Sequence, residues 1–216
     1  MRNRTSTGMI AAIVAVFALA SIGLATVGLP PSVNSSLYES IGARLAGQAI
    51  AKLGPGGGIT VITRDTTSFK QPASDIVLAS FQKAARRAGA NITAVNPMQV
   101  DPLRPLEVPA GDFFELLRRT PAGSVIVSFM GPPLLLPEQR AQLGAVKSSV
   151  VALCPGNLAE VVDLRPLFTQ GLLHAAVVSK SHPGAVSPAR ASFDDLYVTV
   201  TAEDLGRLPS PASRAN

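Results

Sequence analysis

The sequence predicts an α/β fold: a single doubly wound, mostly parallel sheet of about five strands, preceded by one N-terminal transmembrane helix. From residue 59 onward, apolar runs rich in β-branched residues alternate with segments whose apolar residues recur at helical spacing. This pattern indicates parallel strands covered by helices on both faces. Residues 9–29 contain no charged side chain. The 216 residues, 47% hydrophobic and 15% charged, suffice for one ordinary core.

The N-terminal segment is predicted to be a membrane anchor. A helix over residues 9–29 would be about 30 Å long, the thickness of a bilayer's hydrocarbon core. Arg2 and Arg4 precede it, and no acidic residue occurs before Glu39. The positive-inside rule then keeps residues 1–8 in the cytoplasm. We expect membrane lipid around residues 9–29, a single pass, and a domain in the periplasm or outside the cell.

A cleaved signal peptide is the alternative interpretation of the same segment. Two stretches, Ala18-Leu19-Ala20 and Gly23-Leu24-Ala25, have the small-x-small pattern that signal peptidase accepts. Both interpretations place the remaining chain on the same side of the membrane.

Residues 30–58 are predicted to form a linker and an amphipathic helix. Apolar residues recur at helical spacing from Leu37 to Leu53, and Gly54 ends the helix. Its apolar stripe requires a surface, which the domain or a partner must supply. The glycines of residues 54–58 precede a strand and are not followed by Lys-Ser or Lys-Thr, so they do not form a phosphate-binding P-loop.

Residues 59–201 are predicted to form the α/β domain. The strands are expected at residues 59–63, 91–95, 124–129, 149–153 and 172–179, with a sixth candidate at 196–201. Helices are expected at residues 72–88, 111–119, 137–146 and 158–168, the last interrupted near Pro166. Residues 202–216 contain Pro209 and Pro211 without an apolar period and are expected to be a disordered tail.

Two sequence runs resemble the first lobe of the type I periplasmic sugar-binding proteins. They are ITVITRD at residues 59–65 and FQKAARRAGANI at residues 81–92, which match the family's opening strand, helix and second strand. That family holds its ligand between two lobes, and this chain has room for one. The loop of residues 65–69 also lacks the family's asparagine-proline-aromatic sequence, so no ligand residue is carried over. A single lobe would bind as a dimer, bind in an open crevice, or bind no small molecule.

Composition argues against several kinds of partner. The formal charge of +5 comes from scattered Lys and Arg residues, and the chain has only 8 Phe, 2 Tyr and no Trp, so neither a basic run nor a stacking platform predicts nucleic-acid binding. Two histidines and one cysteine make a poor transition-metal site. No cofactor is predicted.

The candidate ligand site lies at the carboxyl edge of the sheet, where open α/β sheets bind their ligands. We expect a small polar ligand there to contact Arg64, Asp65, Asn96, Gly131 and Lys180. Other residues expected at this edge are Thr66, Met130, Cys154, Gly156, Asn157, Ser181 and His182. The simpler interpretation of Arg64 and Asp65 is an exposed ion pair, and that of Lys180 and His182 is a solvated loop.

Cysteine-histidine catalysis is the enzymatic alternative. Cys154 follows a predicted strand, and His182 is the only base that loop position offers. His174 suits a hydrogen-bonded core position better. We favour a non-catalytic, membrane-anchored binding or interaction domain that recognises a small polar ligand or partner protein. The alternative is a structural accessory subunit of a larger membrane protein assembly, docked through the amphipathic helix and the anchor.

Overall fold

The protein's structure is a computed structural model that describes residues 33–67, 70–99, 107–144, 146–181, 187 and 189–208. The predicted anchor at residues 9–29 lies outside the described residues, so it stays a prediction. In the part of the chain that the structure describes, no helix is both long and apolar enough to cross a membrane.

Six strands form one sheet in the order β2-β1-β3-β4-β5-β6. The strands are β1 (Ile59–Arg64), β2 (Ile92–Met98), β3 (Val125–Ser128), β4 (Ser149–Cys154), β5 (Ala175–Ser179) and β6 (Tyr197–Thr201). The first five are parallel, and β6 pairs antiparallel with β5. The predicted α/β fold with a mostly parallel sheet is confirmed, and the sixth candidate strand is an antiparallel edge strand.

The helices cover both faces of this sheet. They are α1 (Ser35–Lys52), α2 (Pro72–Arg87), α3 (Ala110–Arg119), α4 (Pro137–Leu143), α5 (Leu158–Val161), α6 (Arg165–Thr169) and α7 (Phe193–Leu196), followed by a 3₁₀ helix (Ala202–Arg207). The expected interruption near Pro166 divides residues 158–169 into α5 and α6, because proline cannot donate a helical hydrogen bond.

Two hydrophobic clusters lie on opposite faces of the sheet. On the first face, α1 and α2 pack against side chains that alternate along the strands, such as Val61, Val127 and Leu153. On the second face, α3, α5, α6 and the chain end at Leu208 pack against the intervening side chains, such as Ile62 and Ile126. The central strands β3 and β4 are almost completely buried, as continuous apolar strands should be when helices cover both faces.

Helix α1 belongs to the folded domain, which corrects the predicted boundary at residue 59. The compact unit begins at Asn34, whose side-chain oxygen caps α1 by accepting from the backbone N–H of Leu37 at 3.2 Å. The apolar stripe of α1, including Ile41 and Leu45, is buried against the protein's own sheet and α2. The domain therefore supplies the surface that this stripe requires.

The chain end is also more ordered than expected. Residues 202–207 form the 3₁₀ helix, and Leu208 is buried in the second cluster. The prediction of disorder is wrong for residues 202–208, because Leu205 and Leu208 both pack against the second cluster although the segment shows no apolar period. Residues 209–216 lie outside the described part of the chain.

The glycine-rich turn before β1 serves close packing at the amino edge of the sheet. The Gly54 N–H donates to the Gly123 carbonyl at 2.8 Å. A Cβ atom on Gly57 would lie only 2.1 Å from the Gly123 oxygen, so no larger residue fits without a backbone shift. This close approach explains the glycines without a ligand.

Candidate functional site

An open crevice of about 410 Å³ lies beyond the carboxyl ends of β4 and β5 and beside the start of β6. Its polar side chains are Asn157, Glu160, Ser179, Lys180, Ser181 and Tyr197. Leu196 adds an apolar wall, and Gly156 contributes backbone. The volume falls within the range of about 300–1,000 Å³ that is usual for small-molecule sites.

One wall of this crevice is formed where β6 begins beside the end of β5, because β6 runs antiparallel to β5. Its first residue, Tyr197, pairs with the last residue of β5, Ser179. The Ser179 hydroxyl accepts from the Gly156 N–H at 2.9 Å. Burial raises the pKa of Tyr197, and the neighbouring Ser179 side chain opposes that rise. Tyr197 therefore presents a neutral phenol at neutral pH.

Lys180 directly follows β5 and lines the crevice, and both its backbone N–H and its ammonium make hydrogen bonds. Its N–H donates to the Leu196 carbonyl at 2.8 Å, and its Nζ donates to the Asp194 carbonyl. Hydrogen bonds from Ser192 lower the pKa of nearby Asp195, and the positive charge of Lys180 adds to this effect.

The crevice offers hydrogen bonds of both polarities. Lys180 donates, the Glu160 carboxylate accepts, and the Asn157 amide with the serine hydroxyls can do either. Such a set suits a small molecule with several hydroxyl groups, or one with both charges. Among the described residues, no group of three or more metal-ligating side chains converges on a metal position.

Of the five predicted ligand residues, only Lys180 lines this crevice. Arg64 is the last residue of β1 and Asp65 follows it, and β1 is separated from β5 by β3 and β4. Three strand spacings amount to about 14 Å, so residues at β1 and Lys180 are not brought together around one small ligand in this crevice.

Asp65 adopts a local turn. Its carboxylate accepts from the Thr67 N–H at 2.9 Å, which holds the pKa of Asp65 below its usual range. In the described part of the chain, no ion pair joins Arg64 to Asp65, so the expected pair is not formed.

Asn96 and Gly131 also differ from their predicted surroundings. Strand β2 continues to Met98, which places Asn96 inside the strand, opposite Ile62. The strand includes Pro97 because β2 is an edge strand, where a missing donor is tolerated. Gly131 follows β3 but is buried, and its φ of 95° is accessible to glycine. Its backbone turn thus accounts for the glycine.

Sequence reasoning placed Gly156, Asn157 and Ser181 at the correct edge but did not identify Glu160, Ser179, Leu196 or Tyr197 as site residues. Ser179 and Tyr197 meet only because β6 runs antiparallel to β5. The apolar pattern of a strand does not reveal whether the strand runs parallel or antiparallel to its neighbour. Apart from the candidate strand itself, the sequence therefore contained no signal that Ser179 and Tyr197 would meet.

The Cys154 side chain is a core residue. It is buried in the second cluster, and burial raises the pKa of its thiol to about 12. A thiol of this pKa is almost entirely protonated at neutral pH and is a poor nucleophile. His182 lies outside the described residues.

His174 is hydrogen-bonded as predicted, but it is half-buried and precedes the strand instead of lying within the core. It lies directly before β5, and its Nδ1 accepts from the Val150 N–H at 3.1 Å. Burial lowers the pKa of His174, and the positive charge of Lys52 lowers it further. It lies at the amino edge of the sheet, away from the crevice.

Comparison with known proteins links this fold to sugar-binding proteins of transporters. An ABC-transporter solute-binding protein from Agrobacterium vitis, solved with bound D-fucose, superimposes with a TM-score of 0.56 at 17% identity, covering 79% of this chain and 60% of that one. The arabinose-binding protein AraP of Geobacillus stearothermophilus gives 0.53 at 15% identity, covering 80% and 63%. A periplasmic ribose ABC-transporter protein from Conexibacter woesei gives 0.52 at 14%, covering 79% and 59%.

No family model matches the sequence, and no curated protein matches it. The similarity at these low identities concerns the fold. This chain spans 59% to 63% of the length of the three proteins. The resemblance predicted from residues 59–92 is confirmed: the chain is similar in fold to type I periplasmic sugar-binding proteins, over a part of their length consistent with a single lobe.

Proposed function

We propose that this protein is a non-catalytic extracytoplasmic binding domain that takes a small, hydroxyl-rich ligand in the crevice between β4, β5 and β6. The observation that carries the proposal is the convergence of Lys180, Glu160 and Asn157 with serine and tyrosine hydroxyls at the carboxyl edge of the sheet. Open α/β sheets bind their ligands at this edge.

A monosaccharide is the ligand class that fits these groups best. Its hydroxyls donate and accept hydrogen bonds, as the crevice's side chains do. The ring face of Tyr197 offers apolar area, which a sugar's C–H face can contact. The proteins of similar fold include one solved with bound D-fucose and one named as an arabinose-binding protein. These sugars are therefore suitable ligands for a binding test.

The crevice is formed from one lobe, so a ligand remains partly in contact with water. Binding sites that enclose most of a ligand's surface bind more tightly than open ones, because more surface and more polar groups are removed from competition with water. We therefore expect weak binding by one copy, strengthened where two copies or a second protein cover the crevice.

An NMR titration with D-fucose, L-arabinose and D-ribose tests the site. We expect saturable shifts of the backbone amides of Gly156, Asn157 and Ser181. Lys180→Gln should weaken binding by roughly 10- to 150-fold, since a hydrogen bond to a charged group contributes about 1.5–3 kcal/mol. Lys147→Gln, at the amino edge of the sheet, serves as the matched control and should bind as the unaltered protein does.

Two results would contradict this proposal. One is the absence of saturable shifts at the crevice with all three sugars. The other is equal loss of binding in both lysine variants, which would indicate an effect of charge alone.

The proposal includes anchoring through residues 9–29. The uncharged segment and the arginines before it support a single pass with the domain outside. Membrane fractionation with an intact-mass measurement tests it: an anchored chain sediments with membranes at full mass, and a cleaved one is released at a lower mass. Recovery of the uncut chain from the cytosol would overturn both forms.

The accessory-subunit alternative loses one of its two supports. Its docking helix was the amphipathic segment after Leu37, and the stripe of that helix is buried inside the domain. The apolar segment at residues 9–29 is the remaining feature that would place the chain in a membrane assembly.

A further inference from the structure

A second cavity, of about 140 Å³, lies on the first face of the sheet. It is bounded by α1, α2 and the carboxyl ends of β3 and β4. Its apolar lining comes from Ile41, Val77, Phe129, Leu153 and Pro155. None of the described residues that line it is charged.

Two of the side chains that line the cavity are small and lie at the start of α2. Ala73 and Ser74, in the first turn of this helix, lie at the wall. Ser74 directs its hydroxyl to the Gln71 side chain at 3.3 Å. Space that a leucine could occupy is thus left between the two helices and the strand ends.

We propose that this cavity binds one small monocyclic apolar ligand, such as a benzene-sized ring. A cavity of roughly 150 Å³ lined by apolar side chains can hold one benzene molecule, and the half-open cavity here is close to that size. A sugar is disfavoured, because most of the lining is apolar and each hydroxyl left without a partner costs about 1–3 kcal/mol.

Aromatic rings line part of the wall and favour a flat ring over an open aliphatic chain. Tyr38 and Tyr197 line the cavity together with Phe129. Phe129 already makes an edge-to-face contact with Phe81, with ring centroids 5.6 Å apart. Aromatic pairs in such geometries contribute about 0.5–1.5 kcal/mol beyond their buried area.

The cavity is distinct from the polar crevice, and of the residues that the structure describes, Tyr197 alone lines both. The inference therefore does not rest on the proposed sugar site. When a ring binds in the cavity, the NMR signals of Tyr197 should shift. The signals of Asn157 and Lys180, which line only the crevice, should stay as they are in the free protein.

Methyl NMR of the protein with benzene as the probe tests the inference. We expect saturable shifts of the methyl groups of Ile41, Val77 and Leu153. Ala73→Leu should fill the cavity and remove these shifts. Ala79→Leu, on an exposed position of the same helix, is the matched control and should bind benzene as the unaltered protein does.

The measurement on the unaltered protein stands even if Ala73→Leu does not fold. The absence of saturable shifts up to the solubility of benzene would overturn the inference, as would shifts scattered over both faces of the sheet. Retention of binding in a folded Ala73→Leu variant would also overturn it. Lys180→Gln should leave benzene binding unchanged, which separates this result from the fate of the sugar site.

Discussion

The two faces of the sheet are covered in different ways. On the first face lie two long helices, α1 of 18 residues and α2 of 16. On the second lie α3 to α6 and the 3₁₀ helix, which are shorter. Among the crossovers between parallel strands, the one from β1 to β2 passes over the first face, where Phe193 of α7 also packs, because the strand order reverses at β1 and crossovers are right-handed.

This difference indicates the structural role of α1. The crossovers after β2, β3 and β4 all pass over the second face, so they leave the first face of β3, β4 and β5 uncovered. Helix α1, which comes before the first strand, fills this position against residues of those strands. The N-terminal helix is therefore part of the core, and the first face depends on it.

The largest expected effect is that of removing α1. A chain that begins at Pro55 should fail to fold. Full burial of Leu37, Ile41 and Leu45 contributes roughly 5–9 kcal/mol, which is comparable with the whole free energy of unfolding of an ordinary domain. Circular dichroism and amide NMR dispersion would measure the loss. A natively folded truncated protein would refute the role assigned to α1, and rescue by an added peptide of residues 34–54 would sharpen it.

The next effect compares one buried phenylalanine on each face. Phe81 on α2 and Phe113 on α3 are both fully buried. Each replacement by alanine should lower the free energy of unfolding by about 3–5 kcal/mol, through lost apolar contacts and a residual cavity. Urea denaturation measures both. If Phe113→Ala had little effect while Phe81→Ala had its full effect, the second face would not be an equal part of the core.

A smaller effect tests how closely the two helices of the first face approach each other. A Cβ on Gly42 of α1 would lie 2.4 Å from the Val77 carbonyl oxygen, so Gly42→Ala should destabilise the protein by about 1–3 kcal/mol. Gly47 lies in the same helix with no atom within 4 Å of its Cβ position. Gly47→Ala should stabilise the protein by about 0.5–1 kcal/mol, because alanine favours helix. Thermal unfolding of both variants would show opposite signs, and equal signs would contradict the close approach.

The smallest effect concerns His174 and Lys52, where α1 ends near the start of β5. Folding lowers the pKa of His174 from about 6.5, through burial and the charge of Lys52. The unfolded chain therefore binds more protons between the two pKa values, so the free energy of unfolding falls as pH drops below about 6.5 and levels off below the folded pKa. Denaturation at pH 8 and pH 5 measures this slope.

A His174→Gln variant should lose that part of the slope. Lys52→Gln should reduce it partially, because burial, the larger cause, remains. An unchanged slope in His174→Gln would assign the pH dependence to other groups.

The sequence alone was informative about the parallel strands and less so about the site. Apolar runs such as residues 149–153 occur in the structure as buried strands, since a strand covered on both faces must be apolar throughout. The predicted second strand was too short, because edge positions such as Val95 and Pro97 are exposed and carry no continuous apolar signal.

The candidate site shows the same limit. Lys180 could be found because it follows an obvious strand. Glu160 could not, because the short helix α5 that carries it has no periodicity to place its faces. The role of Arg64 and Asp65 as ligand residues remains a prediction. They lie at the same edge of the sheet as the crevice, but at the end of β1 and not at the ends of β4 and β5.

The sequence by itself determined that strands alternate with helices, that the central strands are buried on both faces, and that an uncharged segment precedes the domain. These properties depend on local composition and period, which each segment carries alone. The tertiary structure decided which face α1 covers, that β6 runs antiparallel, and that Ser179 meets Tyr197. Those outcomes depend on strand order and crossover direction, which are set by packing between segments that are distant along the chain.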